Sequence, residues 1–412
     1  VSMMVAGALT MALEVAAAPL NLVEAERLAL TDDPALRSLE ARQGIFEAER
    51  VAAQQLPDPK LKFGLMSLPT DSFELGQEPM TQVQVGVVQE FPRGDSRTLR
   101  GEQLHERGQA AAHRRDDLAL RTRLAVREYY LDVLKQNRLR AINESAASAL
   151  ADLREITENY YASGDVPQQD VLRASLELAR VGERSEQLAQ AEDRARATLG
   201  TWVGDAAWGE LAGTWPELPQ PRPREAILAS LAEHPQLLAL HREALAAETG
   251  VDLAKQAYKP GFAVDLTYGG RSGVNPDGRD RPDLLSLMVM MDLPLFTRDR
   301  QDRMAAARIA ESAAASLDRD DAHRRLRAEV ELQLRTLQRQ RDRLRLFEDS
   351  LLPEASFNAA SAFDAYRQAL VDLTALMRAR ITEYELQLEH AALQAEALKT
   401  QARLLYLQGE TT

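Results

Sequence analysis

The sequence has no cysteine in its 412 residues. Disulfide frameworks, thiolate metal sites and cysteine nucleophiles are therefore excluded. Aromatic residues are scarce, at 5%, which is thin for one compact core of this size. Lysine is scarce too: of 50 basic residues 6 are Lys and 44 are Arg. Long apolar runs are missing, which excludes a polytopic helical membrane protein. Positive charge is in deficit, and a net charge of −13 argues against a mainly electrostatic nucleic-acid binder. There is no glycine-rich phosphate loop and no GxSxG nucleophile elbow, so no enzyme is expected. The 6 His are scattered. His105 and His113, and His234 and His241, share helix faces at most, without a third ligand at zinc-like spacing. No metal site and no cofactor are expected.

Apolar residues make up 45% and charged residues 27%, which suits a folded chain. Residues 1–18 read as a secretion signal, apolar over 3–18 except for Glu14. Small residues at Val15-Ala16-Ala17 or Ala16-Ala17-Ala18 suit cleavage, although Pro19 disfavours the second site. The alternative is an ordinary apolar helix.

Proline is missing between Pro92 and Pro167, and residues 95–161 are rich in Arg, Glu, Ala, Leu and Gln. Those are strong helix formers, and an unbroken helix there is too long for a compact globule. A second such segment covers 298–366, interrupted by Pro353. Near the C-terminus, Leu370, Leu373, Met377, Ile381, Tyr384, Leu388, Ala391, Ala395, Leu398, Ala402 and Leu405 alternate spacings of three and four. That seam predicts coiled-coil packing against another helix. The charge-rich stretch 319–345 is mixed in sign and reads as a solvated helix face.

The chain also repeats itself. Asp33-Pro34-Ala35-Leu36 matches His234-Pro235-Gln236-Leu237, and Glu90-Phe91-Pro92 matches Asp292-Leu293-Pro294. Tyr161-Ala162-Ser163-Gly164 matches Tyr366-Arg367-Gln368-Ala369. Two copies of one unit are expected, over 19–201 and 224–412, joined by a Gly-, Pro- and Trp-rich linker at 202–223. Each copy holds one non-helical island with period-two alternation. Strands are predicted at about 60–68 and 81–91 in the first copy, and at about 261–269 and 284–294 in the second. Leu61, Phe63 and Leu65 alternate with Lys60, Lys62 and Gly64, and Val83, Val85 and Val87 with Gln82, Gln84 and Gly86. Four strands cannot close a membrane barrel alone, since the smallest have about eight. Either they form a small soluble sheet, or several chains share one barrel. Lys60 and Asp265 suit a water-filled lumen rather than lipid.

Two tandem copies of long helix, two strands, long helix resemble the outer membrane efflux protein family, of which TolC is the type member. The resemblance covers nearly the whole chain. It is carried by the turn at Tyr161–Gly164 with Asp170 six residues on, by its second copy at Tyr366, and by Pro59, Pro260, Pro92 and Pro294 around the strands. It implies a mainly α protein with a small β part. A homotrimer would form a twelve-stranded outer-membrane β-barrel in contact with lipid, and an α-helical periplasmic barrel. It also implies a periplasmic adaptor protein and an inner-membrane pump of the RND type as partners, with the mass lying mostly in the periplasm. The helix turns would form the periplasmic entrance and adaptor dock, which nominates Gly164, Asp165, Asp170, Tyr366, Arg367 and Asp372. Their plainer reading is helix termination and capping: Asp165 as an N-cap with Pro167 and Gln168 in the first turn, Gly164 in a left-handed conformation, Asp372 as the cap in the second copy. The heavy-metal branch, with CzcC-like and CusC-like channels, is resembled slightly better than the multidrug branch. Gln89-Glu90-Phe91-Pro92-Arg93-Gly94 with Arg97 and Arg100, and Leu351-Leu352-Pro353-Glu354-Ala355, carry that lean. The sequence departs from the family at Ala369, where Gly is usual, and at Ala375 and Arg378, where multidrug members often carry acids. The alternatives are a multidrug or type I secretion outlet of the same family, or a soluble periplasmic coiled-coil scaffold.

Overall fold

The computed structural model describes residues 19–31 and 33–410; the expected secretion signal lies outside them. Two compact units are present. One comprises the described residues up to Asp33, Ala119–Ala229 and those from Ala328 onward; the other comprises Pro34–Leu118 and Ser230–Arg327. Each unit draws on both sequence repeats, and the two longest helices contribute residues to both units.

The helices are α1 (Leu22–Thr31), α2 (Pro34–Ala53), α3 (Ser96–Ser163), α4 (Gln168–Val203), α5 (Arg224–Ser230), α6 (Pro235–Lys255), α7 (Gln301–Leu346), α8 (Leu352–Arg367) and α9 (Leu373–Leu407). The strands are β1 (Lys60–Met66), β2 (Gln82–Phe91), β3 (Gly261–Gly270) and β4 (Leu284–Asp292). The doubled order of elements, mainly α with a small β part, is the expected one. Local signals set the helix starts. Asn21 Oδ1 accepts from Glu24 N at 2.9 Å ahead of α1, and His234 Nδ1 accepts from Gln236 N at 3.3 Å ahead of α6. His234 thus serves as a cap. Pro34 and Pro235 open α2 and α6, where their missing N–H costs nothing.

α3 is unbroken over 68 residues, as the absence of proline predicts. The second long segment is not continuous α-helix. A π-helical turn at Phe347–Leu351 separates α7 from α8, just before Pro353. Proline has no N–H to donate to the preceding turn and its ring crowds that turn, so the backbone widens there.

In the first unit the core gathers Ala25 and Ala29 of α1, Val126, Tyr130 and Val133 of α3, Leu199 of α4 and Leu405 of α9. The Tyr130 hydroxyl donates to the Leu20 carbonyl at 2.9 Å. The linker at 202–223 packs onto this core. Leu211 bridges to Leu20, Trp215 Nε1 donates to Gln394 Oε1 at 3.0 Å, and Gln401 Nε2 donates to the Leu218 and Pro219 carbonyls. α9 is enclosed well beyond the single predicted seam: Lys399, Thr400 and Gln401 are buried alongside Ala402, Leu404 and Leu405. Lys399 Nζ meets Asp132 Oδ1 at 2.6 Å, so its charge is matched. Glu192 of α4 is also buried, between Arg140 at 2.5 Å and Arg196 at 2.8 Å. Burial alone would raise its carboxyl pKa, but the two guanidinium hydrogen bonds outweigh it and hold the value below the ordinary one.

In the second unit all four strands form one antiparallel sheet in the order β1-β2-β3-β4. The central pair, β2 with β3, joins one repeat to the other. β1 and β4 are its edges, with no strand pairing their outer sides among the described residues. β1 ends at Met66, two residues short of the expected end, because Ser67 turns into positive φ (54°).

Candidate functional site: the strand faces and the hairpin turns

The register sorts the strand residues onto two faces. Leu61, Phe63 and Leu65 lie opposite Val87, Val85 and Val83. Val85 and Val87 lie opposite Tyr268 and Leu266, which face Leu285 and Leu287. This face is apolar apart from Gln89 near one end, whose amide reaches the Pro57 carbonyl at 2.9 Å. The other face carries Lys60, Lys62, Gln82, Gln84, Glu90, Asp265, Thr267, Ser286 and Asp292, with Gly86 and Gly269 among them.

On the two central strands burial is inverted between the faces. Phe63 is 70% exposed and Leu287 69%, whereas Asp265 is 7% and Thr267 4% exposed. In water each such apolar side chain would gain about 1.5–3 kcal/mol on burial. A soluble sheet would turn this face inward; a strand of a membrane barrel turns it outward. The strands have 7, 10, 10 and 9 residues, close to the roughly 9–11 that a tilted membrane strand needs. Phe91 and Phe262 pair at one end of the sheet, and Tyr268 lies towards the other, as aromatic girdles would. Among the described residues no helix is long and apolar enough to cross a membrane.

The nominated turn residues lie in the first unit. Gly164 adopts φ 86° and ends α3: its N–H donates to the Tyr161 carbonyl at 3.0 Å, and Asp165 N–H to the Tyr160 carbonyl at 2.8 Å. This pair of bonds is a Schellman closure. The second turn copies it. Ala369 N–H donates to the Tyr366 carbonyl at 3.0 Å and Leu370 N–H to the Ala365 carbonyl at 2.9 Å, with Ala369 at φ 55°. Asp372 caps α9 as expected, its Oδ1 accepting from Ala375 N at 2.8 Å.

Asp165 does not cap α4. The N-cap position is Pro167, without a side-chain cap bond, and Asp165 Oδ2 instead accepts from Ser163 Oγ at 2.6 Å. Two residues, Val166 and Pro167, separate Asp165 from the helix, and the residue before a proline is held extended. Asp170 is half-buried in the first turn of α4. Tyr366 is buried against Tyr160, ring centroids 6.0 Å apart, and burial pushes its phenol pKa up. Arg367 lies over the Phe363 ring at 6.0 Å, and Arg380 lies over it at 5.8 Å. Arg173 of α4 donates to Thr374 Oγ1 of α9, so the two turns are tied side to side. Tyr161, Leu172, Leu176 and Leu370 are exposed apolar side chains on or just past these turns. Leu172 and Leu176, one turn apart on α4, are not among the nominated residues, because helical spacing alone does not tell an exposed apolar pair from a buried one. A groove of about 690 Å³ opens further along the same helices, between Arg180, Arg184, Arg380 and Tyr384. Among the described residues no group of three His, Asp or Glu side chains could hold a metal ion.

No protein-family model matches the sequence, and no curated protein sequence matches it. Solved structures do match. The outer-membrane channel OprN superposes with a TM-score of 0.78 at 18% identity, over 94% of this chain and 89% of that one. The outer membrane protein VceC from Vibrio cholerae gives 0.79 at 17% identity, over 94% and 96%. The transmembrane channel CusC gives 0.76 at 12% identity, over 94% and 91%. With the tandem helix–strand–strand–helix order and the inverted sheet, these similarities establish that the chain has the fold of the outer membrane efflux protein family, typified by TolC.

Proposed function

We propose that the chain is the outer-membrane channel of a tripartite efflux system, acting as a homotrimer. One observation carries this reading: a four-stranded sheet open at both edges, with its apolar face exposed while Gln82, Asp265 and Thr267 on the polar face of its central strands are buried. Three copies joined edge to edge would give twelve strands, remove every open edge and place the apolar face in lipid. Export through a signal at 1–18 and a duplicated body over 19–201 and 224–412, joined at 202–223, belong to the same reading. The mechanism is passive conduction. A periplasmic adaptor and an RND-type inner-membrane pump supply substrate and energy, and this chain supplies a water-filled duct without bond chemistry or a cofactor.

The turns at Gly164, Asp165, Asp170, Tyr366, Arg367 and Asp372 are assigned to the periplasmic entrance and its adaptor dock. Exposed Tyr161, Leu172 and Leu370 beside them support a surface that a partner covers. The cargo assigned is heavy-metal cations, on the Gln89–Gly94 and Leu351–Ala355 segments. The pump does the selecting.

A deletion strain tested against Cu, Ag, Zn, Co and Cd salts beside dyes, detergents and antibiotics checks both levels. Selective metal sensitivity, restored by the intact gene, is expected. Sensitivity to organic compounds alone would replace the metal cargo with a multidrug one. Recovery of the protein by salt washing without detergent would overturn the channel and leave a periplasmic scaffold.

A further inference from the structure

The charged side chains of the strands all lie on the polar face, and they are matched there. Lys60 pairs with Glu90, Lys62 with Asp265 at 2.6 Å, and Arg93, just past β2, with Asp292 at 3.4 Å. The Lys62–Asp265 pair differs from the others. It joins β1 to β3 across the intervening strand β2. It can do so because Lys62 lies directly opposite Gly86, which has no side chain to obstruct it. The space at Gly86 is also needed by Thr267, since a Cβ there would sit 2.4 Å from Thr267 Oγ1. Thr267 Oγ1 in turn donates to Asp265 Oδ1 at 2.6 Å, while Lys62 holds Oδ2. Both carboxylate oxygens are therefore engaged. Asp265 is the most enclosed charge of the sheet, its side chain 9% exposed against 40% for Lys62.

We propose that Lys62 sets the charge balance of the channel lumen: by reaching over Gly86 to neutralise Asp265, it keeps this zone free of net charge and leaves the choice of cargo to the pump. The inference rests on the channel reading above. A trimer places three copies of the pair around one axis, where low-dielectric walls concentrate the field of any unmatched charge. A channel so balanced passes either sign of ion there. Removing one partner exposes three like charges to the permeating ions.

Purified full-length protein in planar bilayers, under a KCl gradient at pH 8 and about 0.1 M mean salt, reads this as a reversal potential. Lys62→Gln is expected to raise the cation-to-anion permeability ratio about twofold or more. Asp265→Asn is expected to lower it by a similar factor. The double variant returns to the wild-type ratio, and Lys62→Arg stays there throughout. Trimer recovery on a gel confirms that each variant has assembled; the double variant carries no unmatched charge and keeps the test alive if one single variant does not assemble. Pores whose permeability ratio is unmoved by either single substitution would overturn the proposal and leave the channel reading intact. Wild-type protein that forms no pores would overturn both.

Discussion

The helical unit and the sheet follow opposite rules with the same amino acids. Around Tyr130, Leu199 and Leu405 the apolar side chains are withdrawn from solvent and charges such as Lys399 enter only with a partner. In the sheet Phe63, Leu285 and Leu287 stand exposed, while Asp265, Thr267 and Gln82 are covered. The hydrophobic effect is the same in both places. What differs, on the proposed channel reading, is the solvent each surface meets: water and other helices around the helical unit, lipid over the exposed face of the sheet.

The strongest way to break the comparison is one substitution on each side. Leu405→Ala removes a fully buried side chain from the helical core. It is expected to cost about 2–5 kcal/mol, read as a lower thermal midpoint in detergent. Leu287→Arg puts a charge on the exposed face of β4, where lipid contact would cost about 2–4 kcal/mol near the bilayer centre. Its readout is loss of trimer from the outer-membrane fraction. Ser286→Arg, one residue away on the polar face, should assemble normally. If Leu287→Arg assembles as well as Ser286→Arg does, the outward face is not a lipid face.

Glu192 sharpens the helical side. Its folded carboxyl pKa lies below the ordinary value of 4.5, so the unfolded chain binds the proton first as pH falls. The stabilisation is therefore complete above about pH 4.5 and is lost as pH falls through the lowered folded value. Glu192→Gln keeps the shape and loses the charge-assisted bonds from Arg140 and Arg196. About 1.5–3 kcal/mol should disappear at pH 7. The gap between variant and wild type should close in acid, as melting curves across pH would show.

Much of this architecture was legible beforehand, for identifiable reasons. Period-two alternation at Leu61–Leu65 and Val83–Val87 names a face whatever solvent covers it, and the doubled Pro and Gly punctuation names the repeat. What escaped depends on partners remote in sequence. The heptad seam of α9 omits Lys399, Thr400 and Gln401 because nothing local says that Asp132 and the Leu218 and Pro219 carbonyls will meet two of them. Lys62 and Asp265 belong to different repeats, and only the β1-β2-β3 register brings them together. Asp165 misled for the opposite reason. Local capping rules favoured it, and the proline two residues on moved the helix start out of its reach.

The two hairpin turns repeat the comparison on a finer scale, since they share hydrogen bonds but not residues. Asp372→Ala removes a real cap and should cost about 1 kcal/mol, whereas Asp165→Ala should cost almost nothing to α4. The smallest effect is the most discriminating. Gly164 and Ala369 occupy the same left-handed position, at φ 86° and 55°. An L-residue there carries about 1–2 kcal/mol of backbone strain, and glycine carries none. Glycine also loosens the unfolded chain, which returns about 0.4–1 kcal/mol of that advantage. Ala369→Gly should therefore stabilise by about 0.5–1 kcal/mol, and Gly164→Ala should destabilise by a similar amount. A Cβ at Gly164 meets no atom within 4 Å, so the second substitution reports on backbone strain alone. Opposite shifts of the thermal midpoint would establish that the two turns are one device built with different residues. A loss of stability in Ala369→Gly would mean that the alanine methyl is itself held by a contact at the tip, and that the second turn has diverged from the first in function as well as in sequence.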